Sequence, residues 1–469
     1  MENRIDKVEP GAELFVRSRL SRFEVWIAAY TLDMSSRWVI ALLTAAIVGG
    51  CALAQEAASF AISGDWDVRV VLPGGEAQTV RVAPPRMIRV SAEKYSSLPV
   101  FNSKANGWMK GVQLNGVKVQ ETTSPHLLDS ASFTLRAGPE TDASLFAKGT
   151  DYDIDLVWGT LGRLTGGGIE PDRAVFASYG HAQFRLDAVM LSANGKIILR
   201  QGEPRAAAPA APQIQAGERH LGNLYLPGFV NKLEPDHLFP ILEDAYPETP
   251  LASNATLARL VRRLHSGQPL RILAWGDSVT DGAYLPDVKA DRWQEQFVAR
   301  LRERFPKARI ELITQAWGGR NTGSYLAEPP GSAHNYRETV LGVKPDLIVS
   351  EFVNDASLKP EQVEERYSRL LADFKATGAE WIIVTPHYVR PDWMGLTRER
   401  DIDQDPRPYV EGLRRFSAKH DVLLADASLR YGRLWRQGLP YNTLMVNAIN
   451  HPDVRGMKIF ADALMALFR

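Results

Sequence analysis

The C-terminal half of the chain alternates short apolar runs with amphipathic stretches. The apolar runs predict strands over residues 271–278, 309–317, 345–353, 380–386 and 421–426. The amphipathic stretches predict helices over 292–305, 360–376, 408–419 and 454–468, and Pro360 suits the first turn of the second of these. Strands rich in Val, Ile and Leu that alternate with helices predict a parallel sheet covered by helices on both faces.

The N-terminal half shows a different pattern, in which helical periodicity is nearly absent. Apolar and polar residues alternate over 68–72, 87–92, 111–120, 152–158, 182–191 and 196–200. Clusters of Gly, Pro, Asn and Asp separate these runs. Short alternating strands with frequent turns predict a β-rich, sandwich-like domain.

These patterns predict the domain organisation. The β-rich accessory domain is expected over residues 58–203, and a linker and connecting segment over 204–255, which opens with the Ala/Pro tract PRAAAPAAP. The α/β domain is expected over 256–469. Residues 1–54 precede both and carry a different signal.

Residues 38–54 read WVIALLTAAIVGGCALA and follow Arg37. A basic residue, an apolar stretch and an Ala-x-Ala site are typical of a secretory signal peptide. We interpret Met34 as the true start and residues 1–33 as an over-long N-terminus, so that the protein is secreted or periplasmic. Two alternatives remain: a lipoprotein with a lipidated Cys51, or an uncleaved anchor, for which about 17 residues are short. Each places the body of the protein outside the cytoplasm.

Composition narrows the range of functions. The chain has 469 residues and a formal net charge of +0, which gives no support to a nucleic-acid or acidic-polymer partner. Its single cysteine, Cys51, excludes a disulfide framework and a cysteine-based zinc site. The nine histidines show no HxH or HxxxH pairing. We therefore expect no metal and no cofactor, and contact with a membrane only through the signal segment or a lipidated Cys51.

Polar motifs follow the predicted parallel strands, at the edge where α/β sheets bind ligands. Gly276-Asp277-Ser278 follows the first strand, a loop with Gly319 the second, and Asn354 the third, while His451 precedes the last helix. A serine hydroxyl needs an adjacent base to attack a carbonyl, and His451 can be that base for Ser278. The backbone N–H groups of Ser278 and Gly319 and the side-chain amide of Asn354 can stabilise an oxyanion. A nucleophile, a base and oxyanion donors together are the groups that acyl transfer requires.

Four short motifs stand in a fixed order over about 270–469: GDS, the glycine-containing GGRNT, VND with its Asn, and NHP with its His. Together they resemble the GDSL or SGNH hydrolase family. The resemblance implies a flavodoxin-like α/β/α sandwich and metal-free hydrolysis of esters or thioesters. It also implies that Ser278 is the nucleophile and first oxyanion donor, that Gly319 and Asn354 complete the oxyanion hole, and that His451 is the base.

One position departs from the family pattern. Ala448 stands three residues before His451, where the family has an aspartate that orients the histidine. Such a carboxylate is worth several orders of magnitude in rate in a serine triad. Three interpretations stay open: another group orients His451, such as Asn447, a backbone carbonyl or a distant Asp; the site is a slow dyad; or the fold has lost catalysis.

The substrate is less constrained than the chemistry. Export, a β-rich companion domain and three tryptophans in predicted loops favour a carbohydrate O-acetylesterase acting on an acetylated poly- or oligosaccharide; the tryptophans are Trp317, Trp393 and Trp435. The alternatives are a lipid esterase or thioesterase, and an inactive glycan-binding surface protein. His387, Tyr388 and Arg390 follow the fourth strand and are further candidates for the substrate pocket.

Overall fold

The computed structural model describes residues 57–247, 254–400 and 402–468. The predicted signal peptide, Met34 and Cys51 lie outside these residues. Within the described part, none of the helices combines the length and the apolar character that crossing a bilayer requires.

The N-terminal part of the described chain is built from strands. They are β1 (Ser59–Gly64), β2 (Asp67–Val71), β3 (Ala77–Arg81), β4 (Ile88–Tyr95), β5 (Val112–Gln113), β6 (Leu128–Arg136), β7 (Tyr152–Asp155), β8 (Thr160–Arg163), β9 (Val175–His181), β10 (Arg185–Leu191), β11 (Ile197–Arg200), β12 (Arg219–Leu226) and β13 (Leu238–Pro240). They form antiparallel sheets in the orders β1-β2-β3, β4-β9-β6, β5-β8-β7 and β11-β10-β12-β13. The prediction of a β-rich N-terminal part is confirmed.

The predicted strand over 111–120 is wrong beyond its first residues. Only Val112–Gln113 pairs in a sheet, and a short 3₁₀ helix, Asn115–Val117, follows it. The chain then closes a turn, in which the backbone N–H of Val119 donates to the carbonyl of Thr122 at 2.9 Å. The Asn-Gly pair at residues 115–116 favours a turn over a strand, and the 3₁₀ helix at this pair ends the strand that the alternating apolar and polar residues predicted.

The predicted linker over 204–255 is also wrong in part. Strand β12 pairs with β10 along both sides of one bulge at Leu221, and β13 pairs with β12, so this segment supplies two strands of a four-stranded sheet. Leu224 and Leu226 of β12 are buried in one cluster with Val189 of β10, and burial of such side chains is what holds the segment in the sheet. Residues Glu56–Arg469 form one compact unit.

Helices and parallel strands alternate through the C-terminal part. The helices are α1 (Ala255–Ser266), α2 (Ser278–Asp281), α3 (Trp293–Arg304), α4 (Thr322–Ala327), α5 (Pro360–Thr377), α6 (Pro408–His420), α7 (Ala427–Tyr431) and α8 (Val454–Leu467). The strands are β14 (Pro269–Gly276), β15 (Arg309–Ala316), β16 (Leu347–Glu351), β17 (Glu380–Val384) and β18 (Leu423–Ala425). The five strands, and the helices α3, α5, α6 and α8, lie close to their predicted positions, whereas α1, α2, α4 and α7 were not predicted.

The five strands form one parallel sheet in the order β15-β14-β16-β17-β18. Side chains of β14 alternate between two cores: Ile272 packs with α3 and α8, whereas Leu273 and Trp275 pack with α5 and α6. The predicted flavodoxin-like α/β/α sandwich is confirmed. In this strand order the connections reverse at β14 and β16, so the loops after these two strands border the crevice where such folds bind ligands.

Candidate active site

Ser278 is the first residue of α2 and lies directly beyond the carboxyl end of β14. The turn between them requires a glycine. A Cβ on Gly276 would lie 2.1 Å from Oγ1 of Thr280 and 2.4 Å from the carbonyl oxygen of Glu351, where no side chain fits. The GDS sequence therefore sets a tight strand-to-helix turn with the serine hydroxyl at its top.

Asp277 connects the loops after β14 and β16. It is fully buried and caps α2, because its Oδ1 accepts the N–H of Val279 at 3.1 Å. Its Oδ2 accepts the backbone N–H of Asn354 at 2.9 Å. The sequence analysis gave Asp277 no role, although an aspartate just before a helix is an ordinary capping signal. The contact brings Asn354 to the serine.

A second buried carboxyl lies beside Asp277. Burial raises the pKa of Asp277 to about 7, although the N–H groups of Asn354 and Val279 lower it. Burial raises the pKa of Glu351 well above its usual range, and the charge of Asp277 raises it further. Since like charges in one site disfavour each other, this pair holds at most one negative charge near neutral pH.

His451 meets Ser278 across the loop before α8. Its Nε2 lies 3.2 Å from the serine Oγ, and its ring stacks on Tyr284 with 4.3 Å between centroids and 3° between planes. Burial lowers the pKa of His451, and the nearby Glu121 raises it. A histidine with a lowered pKa is neutral at pH 7 and can accept the serine proton.

Asn447 shapes the loop that carries His451. Its Oδ1 accepts three successive backbone N–H groups, those of Ile449, Asn450 and His451, at 2.9–3.0 Å. Ala448, at the position of the family aspartate, has a left-handed backbone with φ of 55°. Asn447 therefore acts on the backbone of the loop and leaves the histidine ring to other partners.

The ring atom Nδ1 of His451 faces two side chains of the β-rich part. Oε1 of Gln120 lies 3.1 Å from Nδ1 in hydrogen-bonding geometry, and Oε1 of Glu121 lies 3.1 Å from the same atom. The sequence analysis missed both residues. Gln120 is 331 positions from His451, and no motif marks the segment.

The candidate oxyanion donors belong to the loops that follow β14, β15 and β16. Nδ2 of Asn354 is buried and has no hydrogen-bond partner among the described residues, so it is free to donate to a ligand. Gly319 has φ of 71°, a conformation that favours glycine. The preceding Gly318 passes close to the nucleophile, since a Cβ there would lie 3.8 Å from that of Ser278.

Of the other residues that the sequence analysis named, most are buried or packed against neighbours, and one is exposed. His387 and Tyr388 are fully buried, so the expectation that they line an open pocket is wrong, and burial lowers the pKa of His387 well below its usual range. Trp317 stacks on His334 at 4.3 Å, and Trp435 packs against a core of the β-rich part. Trp393 is exposed over 47% of its surface.

Among the described residues, no group of three or more His, Cys, Asp and Glu side chains is arranged to hold a metal ion. The loops at the carboxyl end of the sheet offer a hydroxyl, a neutral imidazole and the unpaired side-chain amide of Asn354.

Comparison with known structures gives distant similarities. An α/β hydrolase enzyme from the metagenome of Lake Arreo, Spain, is 21% identical, with 42% of this chain and 94% of that chain covered and a TM-score of 0.34. A two-domain esterase active on acetylated mannans is 16% identical, with 45% and 52% covered and a TM-score of 0.36. A variant of an acetyl-xylooligosaccharide esterase from Geobacillus is 18% identical, with 42% and 94% covered and a TM-score of 0.34.

No curated protein sequence matches this chain significantly. Residues 274–459 match the model of the GDSL-like Lipase/Acylhydrolase family. The match begins within β14 and ends within α8, so it spans the sheet, the serine, Asn354 and His451. Over residues 274–459, in its C-terminal half, this protein is therefore similar to the GDSL-like Lipase/Acylhydrolase family.

Proposed function

We propose that this protein is a serine ester hydrolase in which Ser278 is the nucleophile and His451 the general base. The observation that carries the proposal is the 3.2 Å distance between Nε2 of His451 and Oγ of Ser278. This is hydrogen-bond reach for the transfer of the hydroxyl proton, and the lowered pKa of His451 leaves its ring neutral to receive it.

In the first half of the reaction, His451 takes the proton of Ser278 while Oγ bonds to the ester carbonyl carbon. The resulting oxyanion is stabilised by the backbone N–H groups of Ser278 and Gly319 and by Nδ2 of Asn354. The intermediate then breaks its bond to the leaving alcohol, which receives the proton from His451. A covalent acyl-serine remains.

In the second half, His451 takes a proton from water and the water oxygen attacks the acyl carbon. A second oxyanion forms at the same donors, and its collapse releases the carboxylic acid and returns the proton to Ser278. No co-reactant besides water is needed.

Hydrolysis of p-nitrophenyl acetate and labelling by a fluorophosphonate test the proposal. We expect the purified protein to hydrolyse the ester and to take up one label, and Ser278→Ala to do neither. His451→Ala is expected to lose about 10³-fold or more in kcat. A wild-type protein that is inert towards both reagents, or a Ser278→Ala variant with unchanged activity, would overturn it.

We further propose that the ester is an O-acetyl group on a carbohydrate. Support comes from an aromatic cluster, defined by Trp108, Trp158, Trp393 and Arg390. Ring centroids of Trp108 lie 5.0 Å from Trp158 and 5.6 Å from Trp393, and the Arg390 guanidinium lies 4.6 Å from the ring of Trp158. Indole rings stack on the apolar faces of sugars, and Arg390 with its ion-pair partner Asp392 can bind hydroxyls.

The aromatic cluster is coupled to the catalytic loop, because the backbone N–H of Arg390 donates to the carbonyl of Ile449 at 2.8 Å. Trp393→Ala is therefore expected to raise KM for acetylated xylo- or manno-oligosaccharides while leaving p-nitrophenyl acetate hydrolysis unchanged. Leu242→Ala removes another exposed apolar side chain and is the matched control. Faster hydrolysis of long-chain acyl esters than of acetates would instead favour a lipid esterase.

We also propose that the protein acts outside the cytoplasm, supported by the apolar run over residues 38–54 behind Arg37. Fractionation of cells that produce the full chain, with mass analysis of the mature N-terminus, tests this. Recovery of the uncleaved chain from the cytoplasm would contradict export.

A further inference from the structure

We infer that the β-rich part completes the catalytic site, with Gln120 and Glu121 acting as positioning residues for His451. The inference rests on the proposed function, in which His451 is the base. The α/β domain has Ala448 where the family has an aspartate that orients the histidine, so the orienting group has to come from elsewhere. The contacts come from the turn between Asn115–Val117 and β6, which we call the 119–122 turn.

Hydrogen bonds hold the 119–122 turn at its ends and attach it to the catalytic loop. Its ends pair in an isolated antiparallel bridge between Lys118 and Thr123, and the N–H of Ser124 donates to the carbonyl of Val117 at 2.9 Å. Thr122, which is buried, donates its hydroxyl to the carbonyl of Asn447 at 2.6 Å. The turn is therefore fixed to the same loop that carries His451.

Gln120 and Glu121 occupy the two central positions of the turn, and the atoms that they present to Nδ1 of His451 are oxygens. An N–H at Nδ1 satisfies both, and this tautomer leaves a lone pair on Nε2 for the proton of Ser278. Gln120 supplies the hydrogen-bond acceptor in good geometry. Glu121 supplies negative charge, which favours the imidazolium formed when the serine proton arrives.

Among the groups around the ring of His451, Glu121 supplies the negative charge that raises the pKa of the imidazole. Tyr284, stacked on His451, and His387, which interacts with it electrostatically, are both neutral at pH 7, because burial raises the pKa of the first and lowers that of the second. Asp453, two residues further on, is paired with Arg455 at 2.6 Å. Oε1 of Glu121 also lies 3.5 Å from Nδ2 of Asn447, which holds it on the catalytic loop.

The side chain of Glu121 is 53% exposed, so water screens its charge and its effect is smaller than that of a buried triad aspartate. We expect Glu121→Gln to lower kcat for p-nitrophenyl acetate about tenfold with little change in KM. The loss of negative charge also lowers the pKa of His451, so the acid limb of the kcat/KM profile moves to lower pH. A residue with a purely structural role would leave that limb in place.

The test compares full-length wild type with Glu121→Gln, Gln120→Ala and the charge-swapped double variant Gln120→Glu with Glu121→Gln. The double variant is expected to return the acid limb towards its wild-type position. Glu76→Gln, which removes an exposed carboxylate from the turn between β2 and β3 of the same part, is the matched control and is expected to behave as wild type.

The pKa of His451, followed by NMR in the same proteins, separates this inference from the proposed function. A wild type without esterase activity overturns the proposed function alone, provided that Glu121→Gln still lowers the pKa of His451. An active wild type whose kcat, acid limb and His451 pKa are unchanged in both Glu121→Gln and Gln120→Ala overturns the positioning role alone.

Discussion

Oε1 of Glu121 lies 3.1 Å from Nδ1 of His451, although the two residues belong to different halves of the chain. The family pattern places the corresponding carboxylate three residues before the histidine, where this protein has Ala448. The structure thus offers a carboxylate from the β-rich part at the place where the α/β domain has none.

Esterase activity is expected to extend to lower pH than an unperturbed histidine base would allow. Burial lowers the pKa of His451 more than Glu121 raises it, so the ring stays neutral below pH 6.5 and the base form is lost only when the pH falls through the lowered value. A kcat/KM profile between about pH 5 and 8 measures this, with circular dichroism at each pH to show that the fold is intact. An acid limb centred above pH 6.5 would contradict the prediction.

Asn447→Ala is expected to lower both stability and activity. The substitution leaves three backbone N–H groups of the loop without their acceptor, and each of them that stays buried without a partner costs about 1–3 kcal/mol in the free energy of unfolding. The loop then no longer fixes His451 beside Ser278, so kcat falls as well. Urea unfolding and ester hydrolysis measure the two effects.

Asn447→Asp is the companion variant, because it keeps the Oδ1 acceptor and loses only the amide that donates to Oδ1 of Asn450 at 3.0 Å and faces Glu121. It should retain most of the stability that Asn447→Ala loses. Equal unfolding free energies for wild type and Asn447→Ala would show that the loop does not depend on this side chain.

Asn354→Ala is expected to lower kcat by about 10²- to 10³-fold without a large change in KM, because an oxyanion donor acts mainly in the transition state. Since Nδ2 has no partner among the described residues, stability should change little. Asn254→Ala, which removes the cap of α1 at Leu257, is the contrasting control: it should cost about 1 kcal/mol of stability and leave kcat intact.

Gly276→Ala is expected to destabilise the fold. The added Cβ would meet backbone of β16 at 2.4 Å, which cannot move aside as a side chain can, and overpacking of this kind costs about 1–3 kcal/mol or more. Gly74→Ala adds a methyl group in open space and is the matched control. A thermal midpoint for Gly276→Ala equal to that of the control would refute the close approach.

The sequence by itself determined the α/β domain and half of its site. The Val/Ile/Leu-rich strands and the apolar faces of the helices depend on local periodicity. In α3, for example, the buried Trp293, Phe297 and Leu301 recur at the four-residue spacing of one helical face. Ser278 and His451 were identifiable because each follows a strand or precedes a helix of a parallel sheet, and such sheets gather these loops at one edge.

Only the tertiary structure decided which side chains contact Nδ1 of His451. The approach of Gln120 and Glu121 depends on how two parts of the chain pack, and no local pattern encodes a contact over 331 residues. The same limit explains β12, whose strand was hidden in a predicted linker because its partner β10 lies elsewhere in the sequence. Periodicity reports which face of an element is buried, whereas the identity of the neighbour is set by packing over the whole fold.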